Sequence, residues 1–145
     1  MYLNTNIQIN MKFIKKFLES KITKIDFVDD ETIDIYKDNS EVLSDLELVS
    51  DKLQSFSDIG FNKIKIHSSS SNIFAINIDT IDYLKFKDKL EEAKLINEFI
   101  TNIIELYNLL EDLNLNPNIG NNSIIDISSD LERTNINYII YFNRG

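Results

Sequence analysis

Carboxylate side chains are the groups in this sequence best able to do chemistry, and the densest set is Asp26, Asp29, Asp30, Glu31 and Asp34. Carboxylates at this density could bind a divalent cation or imitate the charge of phosphate groups. A calcium loop also needs a glycine at its turn position, and none stands there. We therefore expect a solvated acidic turn and no metal site.

A second alternating set of oxygen ligands occurs further along the chain, at Asp112, Asn114, Asn116 and Asn118. A calcium loop would require glycine and glutamate where this sequence has Pro117 and Ser123. The surrounding asparagines, proline and glycine are typical of a loop that follows a helix. The sequence predicts a polar loop here.

The residues needed for standard catalytic groups are scarce. There is no cysteine, the glycines are three and widely separated, and the single histidine, His67, follows Lys63 and Lys65 on a polar strand face. The serines at 68–71 lack the flanking glycines of a nucleophile elbow. We therefore expect no catalytic residue, no cofactor and no enzymatic activity. Carboxylate-dependent catalysis stays an alternative, because 24 acidic residues are available.

The formal net charge of −9 is concentrated in two acidic segments, residues 26–58 and 88–132. Such a chain repels nucleic acid and is attracted to basic surfaces. No apolar stretch is long enough to cross a membrane, and no signal peptide is recognisable at the N-terminus. The abundance of isoleucine, asparagine and lysine is typical of an AT-rich bacterial or phage genome. We expect a cytoplasmic protein.

Helical and alternating apolar patterns follow one another three times along the chain. Residues 11–20 predict a short basic helix, and residues 24–28 and 32–36 predict a hairpin that turns at Asp29, Asp30 and Glu31. A second helix is predicted after Asn39, because Val42, Leu46, Val49, Leu53 and Phe56 recur at helical spacing. Gly60 would end it, and a second hairpin with Ile64 and Ile66 on one face would follow.

The third unit begins with the longest helical pattern, over residues 79–114. A continuous helix of that length would be about 52 Å long, so we expect it to start or kink near Lys85. Its predicted apolar stripe is Ala93, Ile96, Ile100, Ile103, Tyr107, Leu110 and Leu113. Residues 123–128 and 136–143 then predict a third hairpin.

The sequence therefore predicts one α+β domain over residues 1–145. Its mainly antiparallel sheet would have about six strands from three β-hairpins, each preceded by a helix. Residues 138–142 are apolar on both faces of the last strand. Either helices cover both faces of that strand, or a second chain covers one of them in a homodimer.

These observations favour a non-catalytic acidic protein that occludes a macromolecular partner with a basic surface, such as a toxin or a nuclease. Immunity proteins, antitoxins and phage-encoded inhibitors act in this manner. An accessory or scaffolding subunit that self-associates through its sheet is the alternative, and a carboxylate-dependent enzyme the third. The predicted partner-binding residues are Asp29, Asp30, Glu31, Asp34, Glu41, Asp45 and Asp51.

Overall fold

The computed structural model describes the backbone of residues 24–80, 84–117, 124–130 and 133–144. It describes their side chains except at 84–85, 124–130 and 133–135. The predicted helix over residues 11–20 lies outside the described residues.

Helices and strand segments alternate along the described chain. The helices are α1 (Asp30–Ile35), α2 (Ser40–Asp58) and α3 (Lys89–Asp112). The strand segments are β1 (Lys63–Ser70), β2 (Ile73–Asp79), β3 (Leu84–Lys85), β4 (Asn116–Pro117), β5 (Ile124–Asp130) and β6 (Arg133–Asn143).

The strand segments form one antiparallel sheet in which β6 is central. It pairs with β2 through residues 137–143 and with β5 through residues 133–139. At Thr134 one edge of β6 is already paired with β5. The short β3 also pairs with Thr134, so it lies at the other edge of β6 and continues the line of β2. In the same way β4 meets β6 at Asn143 and continues the line of β5. The described sheet is therefore four strands wide, in the order β1–β2–β6–β5.

The α+β class and the antiparallel sheet agree with the sequence prediction, but the predicted arrangement of strands is wrong. Two of the expected hairpins are present, β1–β2 and β5–β6. The first one is not: residues 24–28 run beside β1, joined to it by a single parallel bridge between Val28 and Ile66, and helix α1 follows. The chain does not build six strands from three hairpins that each follow a helix.

Helix α1 replaces a predicted strand because its first turn is well capped. The side chain of Asp29 accepts a hydrogen bond from the Thr32 backbone N–H at 2.9 Å. Asp30 and Glu31 lie in the first turn, where negative charge stabilises a helix. Ile33 is buried whereas Ile35 is 56% exposed, so the alternation that suggested a strand does not describe one buried face.

Helix α2 forms where the sequence predicted it, and all five residues of its apolar stripe are buried. The Asn39 side chain accepts from the Val42 N–H at 3.2 Å. At the other end Gly60 has φ 113°, and the Phe61 N–H donates to the Phe56 carbonyl at 3.1 Å. This is a Schellman motif, in which glycine is favoured at the residue with positive φ.

Helix α3 begins at Lys89, later than expected, because Asp88 caps it by accepting from the Glu91 N–H at 2.9 Å. Its buried face is also rotated from the predicted stripe. Phe99 and Leu106 are buried, but Ile100 is 48% exposed. No helix in the described ranges is both long and apolar enough to span a membrane.

An aromatic cluster explains the rotation of α3. The Phe99 ring stacks on Phe61 with centroids 5.1 Å apart and meets Phe56 and Tyr138 edge-on at 5.8 and 5.7 Å. Burial of the largest apolar side chain in the helix outweighs burial of Ile100. All three described helices pack on this face of the sheet, the inner face. On β6 its residues, such as Ile140, are buried, while Ile139 and Tyr141 on the opposite, outer face are half-buried.

The rotated face of α3 gives a direct test. Leu106→Ala should lower the free energy of unfolding by about 2–5 kcal/mol, because Leu106 is fully buried. Ile104→Ala should change it by only about 0.5 kcal/mol, because Ile104 is 56% exposed. Urea unfolding followed by circular dichroism measures both values. Equal losses would contradict the assigned buried face.

Candidate functional site

The seven predicted partner-binding residues lie in two groups, one at α1 and one on α2. Asp29 has a structural role, because it caps α1 and its Oδ2 lies 3.6 Å from the Lys65 ammonium. Burial raises the pKa of Asp29, but the hydrogen bonds from Thr32 and the charges of Lys65 and His67 outweigh it. The pKa of Asp29 therefore lies below its ordinary value.

The other three acids of the first group are exposed on α1. Asp34 lies 3.8 Å from the Lys37 ammonium, and both side chains are largely exposed. Asp30 and Glu31 form no ion pair or hydrogen bond through their carboxylates within the described part of the chain. These two side chains are available to a partner.

On α2, the predicted residues Glu41 and Asp45 share one cation. The Arg144 guanidinium lies 3.0 Å from Glu41 Oε1 and 3.5 Å from Asp45 Oδ2. Burial raises the pKa of Asp45 even though the charge of Arg144 opposes the shift. Arg144 follows the last residue of β6, so the end of the central strand is attached to the first turns of α2.

An exposed leucine lies among the predicted acids of α2. Leu48 is 45% exposed. It stands three residues after Asp45, three before Asp51 and seven after Glu41, so all three carboxylates flank it on the helix surface. Asp51 is itself exposed and forms no side-chain contact to a cation among the described residues. We call Leu48 and these three acids the Leu48 patch.

The sequence prediction missed Leu48, although a signal was present. The apolar stripe of α2 excludes Leu48, which lies instead on the side of the helix that carries the predicted acids.

A cavity of about 870 Å³ lies elsewhere, beside the exposed edge of β1. The extended chain from Lys24 to Asp29 forms its wall, and the outer faces of β1, β2 and β6 form its floor. Its charged and amide lining includes Lys24, Lys63, Lys65, Asn77, Asp79 and Asn137. Strand pairing brings these residues together from distant parts of the chain, so no local pattern marked them.

The register of the sheet determines which residues of the cavity floor lie side by side. In one row, Lys63 pairs with Asp79, and Asp79 pairs with Asn137. Directly opposed side chains on antiparallel strands have Cβ atoms about 5 Å apart. The floor therefore presents an ammonium, a carboxylate and an amide side by side.

Asp79 is the unusual member of this row. Its Oδ1 atom is enclosed and has no hydrogen-bond partner. Burial raises the pKa of the Asp79 carboxyl, and the charge of Lys63 only partly offsets the effect. An enclosed acceptor without a donor costs free energy, so the Asp79 carboxylate destabilises the folded state.

The wall of the cavity is held on both sides but is strained. Phe27 has φ 67°, a value favoured by glycine and uncommon for a bulky residue. Its carbonyl accepts from the Ile66 N–H at 2.7 Å, while the Ser50 hydroxyl donates to the Asp26 carbonyl. Helix α2 and strand β1 therefore hold this turn in place. Strained backbone of this kind is often found at functional sites.

His67 was expected on the surface, and it is half-buried. Its Nδ1 lies 3.5 Å from the Asn77 side-chain nitrogen, and no acid–base pair with a nucleophile is seen among the described residues. No set of three histidine, aspartate or glutamate side chains in the described ranges is arranged to hold a metal ion.

Comparisons with protein-family models, curated proteins and solved structures find no match to this chain.

The raised pKa of Asp79 predicts a pH-dependent effect on stability. Because its folded pKa is raised above the ordinary 3.8, its contribution to stability is complete below that value and lost as the pH rises through the folded pKa. Asp79→Asn should therefore raise the urea midpoint at pH 7, and the gain should shrink as the pH falls through the raised folded pKa toward 3.8.

Asp51→Asn is the matched control, because Asp51 is an exposed acid and its replacement should change stability by only about 0.5 kcal/mol. A lower midpoint for Asp79→Asn at pH 7 would show that the carboxylate stabilises the fold, contrary to the assignment.

Proposed function

We propose that this chain is a cytoplasmic, non-catalytic binding protein that occludes a basic surface on a macromolecular partner. An immunity protein, an antitoxin and a phage-encoded inhibitor are the kinds of protein that work in this way. The contact surface is the Leu48 patch together with Asp30 and Glu31 on α1.

The observation that carries this proposal is the exposed Leu48 with carboxylates around it. Protein interfaces typically combine an apolar anchor, which is desolvated on binding, with a polar rim that excludes water and sets specificity. Leu48 is 45% exposed and lies within one or two helical turns of Glu41, Asp45 and Asp51. A basic partner with an apolar recess would match this surface.

The charges of the surface support the same partner chemistry. Asp30, Glu31 and Asp51 have no cation of their own among the described residues, and the whole chain carries −9. Unpaired surface charges act mainly on the rate of encounter with an oppositely charged partner. The proposed association should therefore be fast at low salt and slower at high salt.

Arg144 gives the patch a fixed geometry. Its contacts at 3.0 and 3.5 Å restrain Glu41 and Asp45 before any partner arrives. Side chains that are already ordered lose less conformational entropy on binding. The Glu41 side chain is nevertheless 81% exposed, so it can still contact a partner.

A matched pair of charge-reversed variants tests the proposal. The first carries Asp30→Lys, Glu31→Lys and Asp51→Lys at the proposed surface. The control carries Glu98→Lys, Glu111→Lys and Asp112→Lys on exposed positions of α3. Both sets change the net charge equally. Partners captured by the wild-type protein from the native host are purified, and their affinities are measured at several salt concentrations.

We expect the first variant and Leu48→Ala each to weaken binding at least about tenfold, a change of about 1.4 kcal/mol. The α3 control should bind much as the wild type does. If both triple variants lose affinity alike, only net charge matters and the surface is wrongly assigned. A partner whose affinity ignores salt, the reversals and Leu48→Ala would refute the proposal.

A further inference from the structure

We propose that this chain forms a homodimer in which two copies of α3 pack side by side and antiparallel, with Ile100 on the two-fold axis. The contact surface is a row of exposed and half-buried side chains along α3, which we call the α3 ridge: Ala93, Ile96, Ile100, Ile104 and Tyr107. It shares no residue with the Leu48 patch. It also differs from the sheet face that the sequence suggested for a homodimer. The proposal therefore does not rest on the proposed function.

The α3 ridge lies on a flank of the helix that α2 does not cover. Successive residues of an α-helix are about 100° apart around its axis, so all five ridge residues lie within about 40° of Ile100. Ile100 is 48% exposed and Ile104 is 56% exposed. Glu105, about 140° around the helix from Ile100, contacts Lys52 of α2. The ridge is therefore an apolar surface outside the core, of the kind that marks a contact between proteins.

Positions at equal distances on either side of Ile100 carry complementary side chains. From the centre outward, the pairs are Ile96 with Ile104, Ala93 with Tyr107, and Lys89 with Glu111. In an antiparallel, two-fold arrangement centred on Ile100, each member of a pair faces the other member in the second copy. Isoleucine then meets isoleucine, a small alanine meets a large tyrosine, and a lysine meets a glutamate at both ends. The ridge is thus complementary to itself in shape and in charge.

The charges at the two ends of the ridge select the antiparallel orientation. Lys89 lies 3.5 Å from Glu92 on its own helix and is 79% exposed, so its ammonium can contact a second acid. Glu111 is exposed and forms no ion pair within the described part of the chain. A parallel pair would set lysine against lysine and glutamate against glutamate, whereas the antiparallel pair joins opposite charges and opposes the helix dipoles. The exposed positions beside the ridge are uncharged, namely Asn97, Thr101 and Asn108.

The size of the contact predicts a weak, reversible dimer. The helix from Lys89 to Glu111 is about 33 Å long. Because each copy contributes one helix, the buried area should lie at the low end for specific complexes, below about 1,200 Å² in total. Association should therefore take place between micromolar and submillimolar concentrations. At lower concentrations the chain should be monomeric, so measurements of stability and of partner affinity made there report on the single protomer.

Sedimentation equilibrium of the full chain, from micromolar to submillimolar concentrations, tests the proposal. Ile100→Glu places two carboxylates together on the two-fold axis. Leu48→Glu is the matched control, because Leu48 is a 45% exposed apolar residue on the neighbouring helix and its replacement adds the same charge. Lys89→Glu and Glu111→Lys each create like-charge pairs at both ends of the contact, and the double variant restores opposite charges with the positions exchanged. Circular dichroism verifies that each variant is folded.

The wild type should change from monomer to dimer as its concentration rises. Ile100→Glu should weaken dimerisation at least about tenfold, because like charges meet in the contact. Each single charge reversal should weaken it about threefold or more. The double variant and Leu48→Glu should dimerise as the wild type does.

Three outcomes would overturn the proposal. The first is a wild type that stays monomeric at every concentration, because the ridge would then face solvent or a different protein. The second is a dimer that Leu48→Glu weakens as much as Ile100→Glu does. The third is a double variant that dimerises no better than the single reversals, because the antiparallel pairing of Lys89 with Glu111 would then be wrong.

Discussion

The pairing of β6 along both of its edges is the constraint on which the rest of the structure depends. Residues 137–139 of this strand pair with β2 on one side and β5 on the other, and β3 and β4 extend the two lines. Because side chains alternate along a strand, fixing this register also fixes which residues face the helices. Tyr138 and Ile140 enter the core, and Asn137 and Ile139 face outward.

The Leu48 patch and the cavity beside β1 both depend on that strand. Its end places Arg144 against Glu41 and Asp45, which orders the Leu48 patch. Its outer face supplies Asn137 to the cavity, beside the enclosed carboxylate of Asp79. A shift in register by one residue would exchange the two faces of β6 and remove both arrangements at once.

The sequence predicted those elements whose signals are local. Helix α2 has a cap, a regular stripe and a glycine stop, and the β1–β2 hairpin has clear alternation, so both were located correctly. At α1 the alternation of Ile33 and Ile35 competed with the capping ability of Asp29, and the cap decided the structure. For α3, apolar residues cover more than one face, and only contact with Phe61 and Tyr138 selects Phe99 for burial.

The two candidate surfaces also differ in how far the sequence predicts them. The acids of α2 could be named from composition and spacing, and Leu48 could have been added from the helical pattern alone. The cavity could not be predicted, because Lys63, Asp79 and Asn137 become neighbours only through strand register. The strain at Phe27 likewise arises from contacts with α2 and β1 that no local pattern encodes.

Native-state hydrogen exchange of the β6 amides tests the central role of this strand most directly. If β6 is paired on both edges, amides within residues 137–139 should exchange only through global unfolding, with protection equal to the free energy of unfolding from urea titration. Amides of α1, at the margin of the fold, should exchange through smaller openings. Exchange of β6 amides at rates typical of a frayed or edge strand would contradict the account.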